Sequence, residues 1–439
     1  MIRRGAQAAI VLLLACAPVL AQNASRHRAI IPPPPVPLSS LAQWIAATGI
    51  PFSTTEPVDD DRDLMPLGVV GDTPYVGVGE ATHGTHEFFA MKHRLFRFLV
   101  ERMGFTVFAM EAGLAECDEI NAYVHGGSGD AGQLVHDLGY WVWYADEVID
   151  LVEWMRSYNL AHPERPQLSF RGFDMQDSIV AIAAINAYVQ VVDRSNAGKH
   201  ASRLACANMD LDTYMALPLA TRTSCGVSVR SEYDAIATTR TAYVAASSAA
   251  EYERILRYAR VVVQFEDFIG HSTNPFDRDR YMAENAGWLA ATAHPAEKMM
   301  LWAHDFHVGV NSGYGTMGSY LRTNWGTRYL PAGFLFDSGD FNVIDGTTFL
   351  LDVKHADPAP SGGIEPFFRE TGKPRLIVDL RDAHDAILTD LSAMRTVWFI
   401  GAVLDEPVAQ NRATIALNQW FSVAIWVSQS TPSHLRPFR

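Results

Sequence analysis

Acidic and histidine residues of this chain stand directly after short apolar runs, and that placement is its first chemical signal. Tyr75-Val76-Gly77-Val78-Gly79 runs into Glu80-Ala81-Thr82-His83-Gly84. Phe105 to Met110 ends in Glu111, Leu168 to Phe173 ends in Asp174, and Met299 to Ala303 ends in His304-Asp305-Phe306-His307. Buried charge is costly unless it is paired or used, so packing alone does not account for four such endings. Histidine beside carboxylate serves two chemistries. A neutral imidazole takes a proton from water when a carboxylate holds its other nitrogen. Alternatively, His83, Glu111, His304 and His307 are types that ligate Zn²⁺, three of them with a water completing a catalytic site. A third reading keeps the same residues for binding a small molecule without turnover.

Other catalytic signatures fail on inspection. Gly126-Gly127-Ser128-Gly129 is followed by Asp130, so the nucleophile elbow G-x-S-x-G is broken and the segment reads as a loop. His86-Glu87 opens like a zincin helix, but Ala90 occupies the place of the second histidine. Gly313-Tyr314-Gly315-Thr316-Met317-Gly318 matches G-x-G-x-x-G, yet it lies ten residues beyond the strand ending at Ala303 rather than on its end. It reads as a loop and a helix start.

The elements that must position these residues follow from periodicity. The four apolar runs are short buried strands, and Phe334–Phe336, Phe341–Ile344, Leu376–Val378 and Val397–Ile400 extend the set. Phe88, Met91, Leu95, Leu99 and Met103 recur at helical spacing, Ala145–Tyr158 is amphipathic, and Leu38–Gly49 reads as a short helix. Strands alternating with helices predict an α/β layered fold with a mostly parallel central sheet flanked by helices. Ligands bind at the carboxyl ends of such strands. Ser178–Val192 and Ser231–His271 read as helices within a long stretch that lacks strand signals. The organisation expected is a first core segment over 41–177, a helical insertion or lid over 178–275, and a second core segment over 276–439. The aromatics of Tyr140-Trp141-Val142-Trp143-Tyr144 wall a pocket or pack the core.

Taken together, Gly79-Glu80-Ala81-Thr82-His83-Gly84-Thr85, Phe108-Ala109-Met110-Glu111, Arg171-Gly172-Phe173-Asp174 and Ala303-His304-Asp305-Phe306-His307 resemble the ordered motifs of the erythromycin esterase family. Arg278-Asp279, Met282-Ala283-Glu284-Asn285 and Met317-Gly318-Ser319-Tyr320-Leu321-Arg322 extend the resemblance, which covers roughly residues 70 to 350. It implies a carboxylic ester or lactone hydrolase with His83 as the catalytic histidine and Glu80, Glu111, His304 and His307 completing the site. Glu80 and Glu111 are both candidates to orient His83. A protonated His304 or His307 would stabilise the oxyanion or protonate the leaving alkoxide. Lys92, Trp143 and Asp174 are expected to contact substrate. Lys92 stands where many members carry Arg, and it lacks the planar fork of a guanidinium. On this reading the reaction uses no metal or other cofactor, and the partner is a small ester or lactone, a macrolide among the candidates.

Composition limits the alternatives. The 439 residues carry 35 Lys+Arg against 49 Asp+Glu, a net charge of −14. An acidic chain is a poor nucleic-acid partner, because binding phosphate needs excess Lys and Arg. Arg3 and Arg4, the apolar stretch Ala6–Ala17, and Pro18-Val19-Leu20-Ala21 predict a secretory signal peptide over 1–21, too short in its apolar region to span a bilayer. Cleavage after Ala21 removes Arg3 and Arg4 and makes the net charge −16. Leu13-Leu14-Ala15-Cys16 also fits a lipoprotein signal with lipid on Cys16. Residues 22–40, with five prolines between Pro32 and Pro37, read as a linker. The expected location is periplasmic or secreted. Cys206 and Cys225 are then candidates for a disulfide, and Cys117 for a buried free thiol.

Overall fold

A computed structural model describes residues 38–437 apart from 272, 273, 275, 312, 405 and 406. The expected signal peptide, the lipidation at Cys16 and the linker before residue 38 lie outside the described residues.

Seven strands frame the site. They are β1 (Tyr75–Val78), β2 (Phe105–Gly113), β3 (Ser169–Asp174), β4 (Lys298–Trp302), β5 (Tyr329–Asp345), β6 (Arg375–Asp379) and β7 (Val423–Ser430). Their order across the sheet is β6-β7-β5-β1-β4-β2-β3. Every neighbouring pair from β7 to β3 is parallel, and β6 runs antiparallel to β7. Ile50–Pro51 pairs with β6 at the edge, and Leu351–Ala356 and Val403–Leu404 attach to β5. The layered α/β architecture with a mostly parallel sheet is the one expected.

Strand period divides the core between the two faces. Val76, Val78, Phe108, Met300 and Trp302 point to one face, which α1 (His86–Met103) and α2 (Asp146–Ala161) cover. Tyr75, Val107, Ala109, Met299 and Leu301 point to the other, against Ile179–Val192, Ala249–Phe265 and α3 (Asp277–Trp288). Both faces are covered, as a parallel sheet requires. The helical spacing noted in the sequence is the buried face of α1, where Phe88, Met91, Leu95 and Leu99 are enclosed and Gly104 closes the helix at φ 72°.

The 178–275 stretch is helical and, among the described residues, holds no strand. Its single expected helix over Ser231–His271 is instead Leu219–Thr238, Arg240–Ala246 and Ala249–Phe265, followed by a π-turn at Glu266–His271. The side chain of Ser248 accepts from the Glu251 N–H and caps the third helix, which explains one break. Cys206 and Cys225 form a disulfide within this unit, and Cys117 is a buried free thiol. Two strands expected separately, Phe334–Phe336 and Phe341–Ile344, are one 17-residue strand. The polar Asp337-Ser338 between them is buried, and Arg369 and the Ala359 N–H satisfy Asp337. No helix among the described residues is long and apolar enough to cross a membrane.

Candidate active site

The carboxyl ends of β1, β2, β3 and β4 converge, and each delivers what its sequence carries there. The turn after β1 is clamped by main chain from four directions. Asp305 N–H donates to the Glu80 carbonyl at 2.9 Å, Ile400 N–H to Ala81 at 2.8 Å, and Asn342 and Ser433 N–H to Gly84 at 3.0 and 2.9 Å. A Cβ at Gly84 would collide with the Asn342 backbone and one at Gly79 with Asp305, so both positions need glycine for close approach. Glu80 and His83 are therefore held on a rigid turn.

Glu80 is completely buried, and its two oxygens have different tasks. Oε1 lies 2.6 Å from His83 Nδ1. Oε2 accepts from Lys92 Nζ at 2.6 Å and from Trp302 Nε1 at 2.8 Å. Lys92 comes from α1, lies over the Trp302 ring at 4.3 Å, and has no exposed surface. Burial lowers its pKa to about 8 against the attraction of Glu80. Lys92, expected to meet substrate, thus sits beneath the site with its ammonium on Glu80. Among the described residues His83 Nε2 has no hydrogen-bond partner. The ring lies edge-on to Trp143 at 5.7 Å and 4.9 Å from the ring of His304.

A second cluster lies beside the first. The β2–β3 ladder shifts register between Met110 and Gly113, and this irregularity contains Glu111. Glu111 Oε2 accepts the His304 N–H at 2.9 Å, and Oε1 accepts Arg278 Nη2 at 2.7 Å. Arg278, from α3, also binds Asp174 through Nε at 3.2 Å and Nη2 at 2.6 Å. His307 has Asp279 at 2.8 Å on Nδ1 and Glu111 at 3.3 Å on Nε2. Burial works against its charge, but Asp279 and Glu111 outweigh it and raise the pKa to about 10. Arg278 Nη1 also lies 3.2 Å from His307 Nε2. That contact is a hydrogen bond only for a neutral imidazole, and two carboxylates decide for the cation. Burial likewise opposes the charge of Glu111, and His307 and Arg278 overcome it and hold the carboxyl well below its usual range.

His304 differs from His307. Its Nδ1 accepts the Phe306 N–H at 3.1 Å and its Nε2 lies 3.1 Å from the Ile400 carbonyl. Burial, then repulsion from His83 and His307, keeps its pKa well below the usual value. It is a neutral ring with both nitrogens on main chain. Trp143, from the expected aromatic stretch, donates Nε1–H to the Glu111 carbonyl at 3.0 Å and stands perpendicular to the His83 ring. Asp174 is enclosed, bound to Arg278 and to the Met175 N–H.

All eight expected site residues fall in this region, with Lys92 and Asp174 below its surface. Arg278 and Asp279 carry site roles beyond those expected, although both belong to a segment that resembles the family. Glu116 has no sequence signal. Burial raises the Glu116 pKa to about 8 with Asp177, Asp174 and Asp118 adding repulsion, and its Oε1 has no partner among the described residues. The glycine-rich 313–318 segment starts α4 (Met317–Trp325), whose Met317 N–H donates to Asp279 Oδ1 at 2.8 Å. Its link to the site is to hold the carboxylate that holds His307. A cleft of about 500 Å³ between Asp118, Arg171, Arg254 and Trp288 contains none of the eight expected site residues.

The erythromycin esterase family model matches residues 100–430. The chain belongs to the erythromycin esterase family. An erythromycin esterase type II of Escherichia coli is 26% identical over 333 residues, covering 68% of this chain and 77% of that protein. The Bacillus subtilis protein YbfO, named as a hydrolase, is 22% identical over 442 residues, covering 89% and 91%. A Bacillus cereus protein of known crystal structure superposes with a TM-score of 0.81 at 25% identity, covering 90% of this chain and 98% of its own. The erythromycin esterase EreC, solved as a single-site mutant in an open conformation, superposes at 0.68 with 16% identity, covering 88% and 98%, which bears on the fold alone. The chain is a hydrolase of the erythromycin esterase family. The family match begins downstream of Glu80 and His83, so the role of that turn rests on its geometry.

Proposed function

We propose that this chain is an exported hydrolase that cleaves a carboxylic ester or lactone with water activated by His83, with no metal in the step. The observation that carries the reading is the Glu80–His83 contact at 2.6 Å, with Nε2 left without a protein partner. Glu80 keeps the proton on Nδ1, so Nε2 is the basic atom. It accepts a proton from water as the water oxygen bonds to the carbonyl carbon. The oxyanion is stabilised by the positive end of the second cluster, protonated His307 backed by Arg278. Collapse breaks the carbon–alkoxide bond, and the proton held by His83 passes to the alkoxide, leaving acid and alcohol.

The donor set favours this route over a metal. Both His304 nitrogens are engaged by main chain, His307 Nδ1 is engaged by Asp279, and Arg278 occupies the position between Glu111 and Asp174 where a cation would sit. His304 and Trp143 line the water site in this account, while Lys92 and Asp174 support it from beneath. A disulfide in the helical insertion suits an oxidising compartment and so supports export. The test is a panel of macrolides, simple lactones and aryl esters incubated with the purified chain in ¹⁸O-labelled water. Label in the acid product of at least one substrate supports the reading. Intact recovery of every ester and lactone, with binding of one of them, favours the non-catalytic alternative.

A further inference from the structure

A second histidine–carboxylate cluster lies three residues along the chain from His83 and, among the described residues, shares no side-chain hydrogen bond or ion pair with the Glu80, Glu111 and Arg278 network. His86 opens α1. Its Nδ1 lies 2.5 Å from Glu147 Oε1, and its Nε2 lies 2.9 Å from Glu56 Oε1. His434, from the C-terminal segment, places Nδ1 2.9 Å from the same Glu147 oxygen. One ligand atom from each of His86, Glu147 and His434 lies within 4.8 Å of the others. The His86 and His434 rings are 4.7 Å apart.

Main chain builds this arrangement as much as the side chains do. The His86 N–H donates to Thr431 at 2.9 Å, and the Asp146 N–H donates to the His434 carbonyl at 3.0 Å. The His434 N–H returns to the Glu147 carboxylate at 3.1 Å, and bridges at Thr85–Pro432 and Ala145–Leu435 flank the cluster. Glu147 is buried at 6% exposure, while His434 remains open to solvent on one side. Three parts of the chain far apart in sequence are therefore held in place before any ligand arrives.

We propose that His86, through Nδ1, with Glu147 and His434 forms a binding site for a divalent transition metal of the Zn²⁺ type, with water completing the first sphere. Two imidazoles with carboxylate oxygens are the donor set such ions prefer, and Ca²⁺ or Mg²⁺ would ask for oxygens alone. Glu147 supplies the charged oxygen, and Glu56, on the far nitrogen of His86, would accept that ring's Nε2–H and fix Nδ1 as the ligating atom, as outer carboxylates do for ligating histidines. Ligand atoms around zinc at about 2.1 Å stand roughly 3.3 Å from one another, so the present separations need only small side-chain shifts. Bound metal would tie the C-terminal segment and α2 to the first turn of α1, and through it to the turn that carries His83. The site is thus a clamp on the catalytic turn rather than part of the reaction, and it stands whether or not the chain hydrolyses esters.

The probe is ZnCl₂ alone, titrated calorimetrically into chelator-treated full chain, with bound metal counted by mass spectrometry after desalting. The wild type and the His83→Ala variant should each retain one zinc. The His434→Ala variant, altered at an exposed side chain, should bind at least about tenfold more weakly, and His86→Gln should do the same. X-ray absorption should show histidine nitrogen in the shell. Retention of no zinc, equal binding by the wild type and His434→Ala, or loss of zinc in His83→Ala but not in His434→Ala would each overturn the proposal.

Discussion

Lys92→Met is the most informative single perturbation of the candidate site. The methionine keeps the unbranched stem in the α1 packing and removes only the ammonium. Glu80 then loses one of three donors while remaining fully enclosed, keeping His83 and Trp302 as side-chain partners. Removing one member of a buried ion pair costs about 3–5 kcal/mol, because the partner charge stays behind. Loss of the cation over the Trp302 ring adds about 0.5–2 kcal/mol. Against a total stability of about 5–15 kcal/mol, the variant should fold but unfold at markedly lower urea. Glu80→Gln combined with Lys92→Met removes the stranded charge, so the pair should be less destabilised than the sum of the single changes by at least about 2 kcal/mol. Turnover should stay low in both, since neither retains the anionic Glu80–Lys92 arrangement that fixes His83.

The pH dependence provides a second readout of the same substitution. Lys92 titrates near 8 in the fold and at its usual 10.5 when unfolded. Between those values the unfolded chain holds the extra proton, so this group makes stability rise with pH. His307, raised to about 10 from 6.5, works oppositely: its contribution is complete below about 6.5 and is lost as pH climbs through 10. Both proteins contain His307, so the wild-type-minus-variant difference isolates Lys92. Equilibrium urea unfolding followed by tryptophan fluorescence at pH 7, 8, 9 and 10 measures it. A Lys92→Met protein within about 1 kcal/mol of wild type, with normal turnover, would refute the reasoning that Lys92 holds Glu80.

Three further outcomes are expected. Asp279→Asn should drop the His307 pKa from about 10 toward 6.5, so the alkaline loss of activity and the associated loss of stability move down to near-neutral pH; a pH–rate profile with its alkaline limb in place would contradict this. Cys225→Ser should cost about 3 kcal/mol of stability for the loop closed by a disulfide of sequence separation 19, leaving turnover well below the melting temperature unchanged; denaturant titration under non-reducing conditions measures it. Chelator-treated His434→Ala should turn over substrate as fast as the untreated variant, because the clamp is already disabled and the chemistry uses no metal. Inhibition by chelator in that variant would place a metal in the catalytic cleft.

Much of this site was legible because sequence order and spatial order coincide at a parallel sheet. An apolar run ending in Glu80 or Glu111 predicts a side chain at the carboxyl edge, and four such runs predict one cleft. Arg278 was harder to place. It lies 104 residues from the Asp174 it neutralises, on a helix following the insertion, and no local pattern announces that pairing. Lys92 reads as a charge on an otherwise apolar helix face, and only the fold reveals Glu80 beneath it. The division between His304 and His307 was also hidden, since their spacing is identical to that of two equivalent ligands. Burial, with repulsion from His83 and His307, keeps the first neutral, and Asp279 and Glu111 make the second cationic. In the fold, β7 is an interior strand between β6 and β5, although no chemical motif draws attention to it.

Whether His83, oriented by Glu80, activates the attacking water is decided by kcat/KM for the best-cleaved ester in the wild type, His83→Ala and Glu80→Gln, with folding verified for each. A fall of at least about two orders of magnitude is expected for His83→Ala. Wild-type kcat/KM in His83→Ala would contradict that role.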